Sequence, residues 1–295
     1  MGIKQIRVKT FFLPNIYIPC LFDANFVVQE PKKHKPMAKN SSTFSTKPFP
    51  RIRKATIGVL RAARKKNMIH TLVEMDISKV RNAIRQLRRE TKNYHSLTGY
   101  IIYCVAKTVE QNKHIHACRN RKNQMVLFDD VDVSTTIERT INGNKEVVAK
   151  IIRAANRKKV AEISEELKEE KAGDVQSAEV FRSVRFFLAI PGFIRQFIFR
   201  LLDKSPQLMK KRAGTVMVTS ASMAGKGAGW GIPVATHTLN VTIGGIVDRP
   251  VLTGGKLENR EHICLTLSFD HDIVDGAPAA RYIRHLKRQI ESAEI

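Results

Sequence analysis

A histidine and an aspartate four positions apart carry the clearest chemical signal in the chain. In the run 262–269, apolar side chains alternate with small polar ones, which predicts a β-strand with one apolar face and His271 at its end. Asp275 and Gly276 form a predicted tight turn, and Pro278 can begin a helix. An imidazole that titrates near neutral pH beside a carboxylate can serve as a general base.

Two other patterns give weaker signals for a site. His114 and His116 could be metal ligands on one strand face, but no third ligand lies at a suitable spacing, so no metal site is predicted. The glycine-rich stretch 225–229 resembles a phosphate-binding loop, but it lacks the Walker spacing and its Lys-Ser/Thr ending. A flexible hairpin is the preferred interpretation of this stretch.

The charge of the chain is strongly basic. It has 51 Lys and Arg against 27 Asp and Glu, a formal charge of +24, which attracts nucleic acids, anionic membranes or phosphorylated cofactors. Eleven basic against two acidic residues lie in the first 54 positions, so part of this excess belongs to a basic arm. Arg119, Arg121 and Lys122, or the run 157–159, could contact phosphates or form a solvated face.

Mixed helical and strand patterns surround these residues. Residues 1–50 lack the hydrophobic periodicity of a helix or strand, which predicts a basic, poorly ordered extension. The four widely spaced cysteines predict reduced thiols in a cytoplasmic protein. The aromatic and basic segment 182–202 could pack as a lid, lie on a membrane or bind a partner. Predicted helices are 79–92, 98–111, 161–171 and 278–291, and predicted strands are 125–128, 131–137, 215–220, 239–246 and 262–269.

The string His271, Asp275, Gly276 reads His-x-x-x-Asp-Gly and resembles a known family. The family comprises the catalytic domains of the dihydrolipoyl acyltransferases of 2-oxo acid dehydrogenase complexes, which share their fold with chloramphenicol acetyltransferase. Other strings match in family order, from about Phe49 to Ile290. They are Arg51-Ile52-Arg53-Lys54, Met68-Ile69-His70-Thr71, Met75-Asp76-Ile77-Ser78 and Gly214-Thr215-Val216-Met217-Val218-Thr219-Ser220.

The resemblance implies an α/β fold, a chloramphenicol acetyltransferase-like two-layer sandwich with a mixed sheet and flanking helices. It places the catalytic domain at 51–295, with an amphipathic insert at about 172–212. It also implies a homotrimer, or a multiple of one, with each active-site channel at a subunit interface.

The family mechanism, carried over to this chain, makes His271 the base that takes the proton of an attacking thiol, either coenzyme A or dihydrolipoamide. Ser220 would donate a hydrogen bond to the oxyanion. A serine at a strand end also commonly caps a turn, and the adjacent Thr219 is the alternative donor. Asp275 would pair with Arg53 and brace the histidine loop.

Two further positions follow from the same resemblance. Gly276 supports the turn after Asp275. His70 lies beside the reaction channel or is simply a polar residue at a strand start.

Departures from the family pattern bear on the substrate. The usual Asp-His-Arg is Asp270-His271-Asp272 here, so a contact of that arginine is lost or reversed in sign. Because no lipoyl domain precedes Arg51, we expect no lipoyl attachment in this chain. Coenzyme A is then the expected co-substrate, and the unknown acyl acceptor, or a lipoyl-bearing protein, comes in trans.

A non-catalytic function is the alternative. The scaffold could serve a basic protein that binds nucleic acid or an anionic membrane, as the charge of +24 suggests. Nucleic acid is disfavoured, because the sequence has no aromatic-basic RNA motif, helix-turn-helix pattern or zinc spacing.

Overall fold

The protein's structure, a computed structural model, describes residues 44–49, 53–91, 94–141, 144–172, 190, 194, 205–220 and 227–295. The predicted extension and the segment 182–202 therefore lie almost entirely outside the described residues. The helices are α1 Arg53–Ala63, α2 Ser78–Glu90, α3 Leu97–Glu110, α4 Val160–Ala172, α5 Pro206–Ala213 and α6 Gly276–Ser292, with short 3-10 helices at Lys113–His116 and Ala155–Arg157.

A mixed six-stranded sheet organises the described residues. Its order is β1-β8-β7-β6-β4-β5; β6 runs parallel to β4 and β7, and the other neighbours are antiparallel. The strands are β1 Met68–Asp76, β4 Val133–Ile141, β5 Asn144–Ile152, β6 Val216–Ser220, β7 Leu239–Thr253 and β8 Lys256–Asp270, while β2 Cys118–Arg119 and β3 Met125–Val126 form a separate small hairpin. The predicted α/β class with a mixed sheet is confirmed.

One face of the sheet forms the hydrophobic core with the helices. The alternation in β8 places Ile263, Leu265, Leu267 and Phe269 on this face, and all four are fully buried. Helix α6 returns over them with a buried stripe at helical spacing, and the rings of Tyr282 and Phe269 meet edge to face at 5.9 Å. Burying one such large side chain stabilises the fold by roughly 2 kcal/mol. This packing fixes the strand end that carries His271.

The opposite face of the sheet, here called the polar face, carries hydroxyl and amide side chains. Thr242 and Thr266 are buried there, and Thr219 Oγ1 lies 3.3 Å from Thr242 Oγ1. The segment 227–237 crosses this face, where the backbone N–H of Gly245 donates to the Gly229 carbonyl over 2.9 Å. A Cβ at Gly244 would lie 2.1 Å from the same carbonyl oxygen, so only glycine permits this approach.

The structure corrects several predicted bounds. The predicted strands 239–246 and 262–269 are longer, because β7 and β8 continue into a hairpin whose turn is Gly254 and Gly255, with φ of 57° and 81°. The hairpin tip is exposed on both faces and therefore lacks the apolar alternation that marks a strand. His114 and His116 lie in a 3-10 helix and not on a strand. No helix in the described ranges is long and apolar enough to cross a bilayer.

Two histidines are buried near the strand ends. The His116 Nε2 atom lies 3.1 Å from the Phe128 carbonyl, and the His237 Nε2 atom lies 2.9 Å from the Ala213 carbonyl. Since a carbonyl can only accept, Nε2 carries the proton in both rings. Burial lowers the pKa of His116 and of His237 to about 4, so both rings are neutral at pH 7.

We predict that acid destabilises the protein through these two rings. The two neutral rings make their full contribution to the free energy of unfolding above the unfolded-state pKa of about 6.5. This contribution is lost as pH falls towards about 4, because the unfolded chain takes up protons at a higher pH than the folded protein does. Between pH 7 and pH 5 the loss is about 2 kcal/mol per histidine. Urea unfolding of His237→Gln should show a shallower pH dependence than wild type. The exposed His285→Gln is the control, and equal slopes for all three proteins would refute the assignment.

Candidate active site

His271 lies at the end of β8, as the sequence predicts. Its Nδ1 atom is 3.9 Å from Asp275 Oδ1, one turn further along the chain, and their side chains are 46% and 84% exposed. This separation is too long for a hydrogen bond. Since Nδ1 faces Asp275, Nε2 is the nitrogen that a substrate would meet.

The loop that bears His271 is clamped by the turn that follows α1. The buried carboxylate of Asp270 accepts a hydrogen bond from Lys66 Nζ over 2.7 Å. The backbone N–H of His271 donates to the Asn67 carbonyl over 2.7 Å, and Asn67 Nδ2 donates to Asp272 Oδ1 over 2.9 Å. We call these three contacts the loop clamp. They hold the backbone on both sides of the imidazole.

Local turns complete the position of the loop. The carbonyl of Asp270 accepts from the backbone N–H groups of Ile273 and Val274, and the side chain of Val274 is buried. Asp275 is then the N-cap residue of α6, with Gly276 as its first helical residue. The imidazole is thus half exposed while the backbone beneath it is fixed, an arrangement suited to a catalytic base.

The predicted brace between Asp275 and Arg53 differs from the contacts seen in the loop. Asp275 contacts His271 and is largely exposed, while Lys66 and Asn67 hold the loop through Asp270 and Asp272. Arg53 is the first residue of α1, and its pairing with Asp275 stays a prediction. The replacement of the family arginine by Asp272 has a structural use here, because Asp272 accepts the hydrogen bond of Asn67.

Sequence reasoning missed the loop clamp. Lys66 and Asp270 are 204 positions apart, and no local pattern links them. The available signal is the pair Lys65-Lys66 directly after α1, together with an aspartate directly before the motif histidine.

Ser220 lies at the other end of the sheet. It pairs with Ile243 of β7, which pairs with Leu265 of β8, so Ser220 is level with Leu265 and not with His271. From Leu265 to Asp270 the strand advances roughly 17 Å, at about 3.3 Å per residue. Within one chain the sheet therefore keeps Ser220 far outside hydrogen-bonding distance of anything bound at His271.

The strand register also places two further predicted positions. Thr219 is on the polar face, level with Thr242. His70 lies on the edge strand β1 and is exposed, with its Nδ1 2.7 Å from Ser268 Oγ of the paired strand. The structure thus brings together His271, Asp275 and Gly276, and keeps Ser220 and Thr219 at a distance.

The surroundings of the His271 loop contain a pocket. No group of three His, Cys, Asp or Glu within the described ranges could hold a metal ion. A pocket of about 300 Å³ opens beside the loop, and Asp270, Asp272 and Ile273 form one of its walls.

The sequence matches one family model over most of its length. The model, described as 2-oxoacid dehydrogenases acyltransferase (catalytic domain), matches residues 41–176 and 189–295. The part left out, 177–188, lies inside the predicted insert. The dihydrolipoyllysine-residue succinyltransferase component of the mitochondrial 2-oxoglutarate dehydrogenase complex of Bos taurus is 31% identical over 84 residues. That alignment covers 28% of this chain and only 18% of the bovine protein.

Solved structures share the fold. A probable dihydrolipoamide acetyltransferase from Listeria monocytogenes has a TM-score of 0.63 and 19% identity, covering 85% of this chain and 96% of its own. The cubic core of the pyruvate dehydrogenase multienzyme complex also has a TM-score of 0.63, with 14% identity over 87% of this chain and 97% of its own. The six-stranded sheet and its helices are therefore the architecture of these cores.

We predict that Lys66→Met weakens the fold because it leaves the Asp270 carboxylate buried without its cation. The expected loss in unfolding free energy is about 3 kcal/mol, the usual cost of removing one partner of a buried ion pair. Urea unfolding measures it, and Lys65→Met is the matched control, since Lys65 is exposed and forms no ion pair within the described ranges. Equal losses in the two variants would contradict the loop clamp.

Proposed function

Because the chain belongs to the family of 2-oxoacid dehydrogenase acyltransferase catalytic domains, we propose that it transfers an acyl group between a thioester and a thiol. Coenzyme A is the expected carrier on one side of the reaction. The observation that carries this proposal is the half-exposed imidazole of His271, held at a strand end by the loop clamp, with the Asp275 carboxylate 3.9 Å from its Nδ1 atom.

In the proposed reaction, His271 Nε2 removes the proton of the attacking thiol. The thiolate forms a bond to the thioester carbonyl carbon, and the carbonyl oxygen becomes an oxyanion. When the tetrahedral intermediate collapses, the original carbon–sulfur bond breaks and the leaving thiolate takes the proton back from His271. The carboxylate of Asp275 near Nδ1 stabilises the imidazolium that exists between these two steps.

The oxyanion donor is proposed to come from a second copy of the chain. Ser220 is the residue that the family resemblance selects, and the strand register separates it from His271 of its own chain. A neighbouring copy can place its β6 end against the His271 loop. The related cubic core supports such an arrangement, because a cube has threefold axes along which three copies meet. We therefore propose a homotrimer, or a multiple of one, as the active form.

The names of the relatives suggest which molecule carries the second thiol of the reaction. The bovine protein acts on a dihydrolipoyllysine residue, so a lipoyl-bearing protein supplied in trans is the first candidate for the second thiol. A small thiol is the other candidate, since the same proton transfer at His271 would serve both.

We predict that His271→Ala abolishes acyl transfer and preserves the fold, because it removes a base from an exposed position. Free thiol release from a panel of acyl-coenzyme A thioesters measures the activity, and circular dichroism measures the fold. His285→Ala, another exposed histidine, is the control. Ser220→Ala should lower turnover about a hundredfold, the usual effect of losing one oxyanion donor, and Thr219→Val should not. Near-wild-type turnover by His271→Ala on every accepted thioester would refute the mechanism.

A further inference from the structure

The pocket beside the His271 loop is rich in basic side chains. Four of the side chains that line it are cationic, namely Lys65 and Lys66 after α1 and Arg119 and Arg121 of the β2–β3 hairpin. Two are carboxylates, Asp270 and Asp272. The pocket therefore has a net positive charge directly beside the proposed base.

Ion pairs within the loop clamp leave most of this positive charge available. Lys66 neutralises Asp270, and Asp272 accepts from the uncharged Asn67. Within the described ranges, Lys65, Arg119 and Arg121 form no ion pair and are exposed at the mouth of the pocket. These three cations outnumber Asp272, the lining carboxylate that Lys66 does not neutralise, and are suited to bind a multiply charged anion.

Hydrogen bonds hold the hairpin that carries the two arginines. Asn120 Oδ1 accepts hydrogen bonds from the backbone N–H groups of Lys122 and Gln124, both over 2.9 Å, and Asn123 takes a left-handed conformation with φ of 56°. At its base, Thr238 Oγ1 donates to the Ala117 carbonyl over 2.6 Å. The arginines thus project from a preformed turn that is joined to the sheet.

We infer that this pocket binds the phosphate groups of the thiol carrier that reacts at His271. A single carboxylate needs only one bidentate arginine, whereas phosphate groups with several negative charges match Lys65, Arg119 and Arg121 together. Asp270 and Asp272, the chain neighbours of His271, both line the pocket, so a carrier whose phosphates bind there is held beside the loop that bears the imidazole. The identity of the carrier as coenzyme A rests on the proposed function, but the binding of phosphates does not.

A binding experiment tests the pocket without catalysis. Adenosine 3′,5′-bisphosphate, which carries phosphates and no thiol, is titrated calorimetrically into the full-length protein. The double variant Arg119→Gln, Arg121→Gln should bind it about tenfold more weakly, as expected for the loss of charge-assisted hydrogen bonds. Lys122→Gln is the matched control, since Lys122 lies on the same turn and does not line the pocket. Equal binding by the double variant and the control, or no binding by wild type, would overturn the inference.

A kinetic experiment separates this inference from the proposed function. The ratio of kcat/KM for coenzyme A to that for pantetheine, which lacks the phosphates and the nucleotide, should fall about tenfold in the double variant and stay unchanged in Lys122→Gln. If neither thiol reacts while the bisphosphate still binds through the arginines, the proposed function fails and the pocket stands. If both thiols react and the ratio is the same in wild type and the double variant, the pocket assignment fails and acyl transfer stands.

Discussion

The register of the sheet is the constraint on which the account of the site depends. Hydrogen bonding from β6 through β7 to β8 places Ser220 level with Leu265, while His271 lies beyond the far end of β8. A sheet cannot slide by several residues without moving every side chain of its core, so this separation is fixed. One copy of the chain therefore has the His271 imidazole at one end of the sheet and the Ser220 hydroxyl towards the other. The active site proposed here needs a second copy to join them.

The loop clamp and the pocket share their residues. Lys66 ties Asp270 to the end of α1, and its neighbour Lys65 faces the pocket beside the same loop. The contacts that hold the imidazole in place thus also shape the surface that a charged carrier would meet. Such sharing explains how the basic charge of the chain, which by itself would suit many polyanions, can serve a defined site.

The sequence predicts the features that depend on short-range patterns. The alternation in 262–269 places His271 at a strand end, and the turn at Asp275 and Gly276 leads into α6, as observed. It could not predict features that arise between distant segments, such as the Lys66 to Asp270 contact. Thr242 and Thr266 alternate like exposed polar residues, but both are buried in the polar face. The pairing of Ser220 with His271 came from family resemblance, and only the register shows that it cannot occur within one chain.

The most direct test of the account is complementation between two inactive variants. His271→Ala and Ser220→Ala are coexpressed with different affinity tags, and assemblies that contain both chains are purified. If each site takes its base from one copy and its hydroxyl from the next, a trimer that contains both chains has one interface in three with His271 and Ser220 both intact, so turnover should return to about one third of wild type. Turnover no higher than the mean of the two separate variants would contradict a site shared between chains.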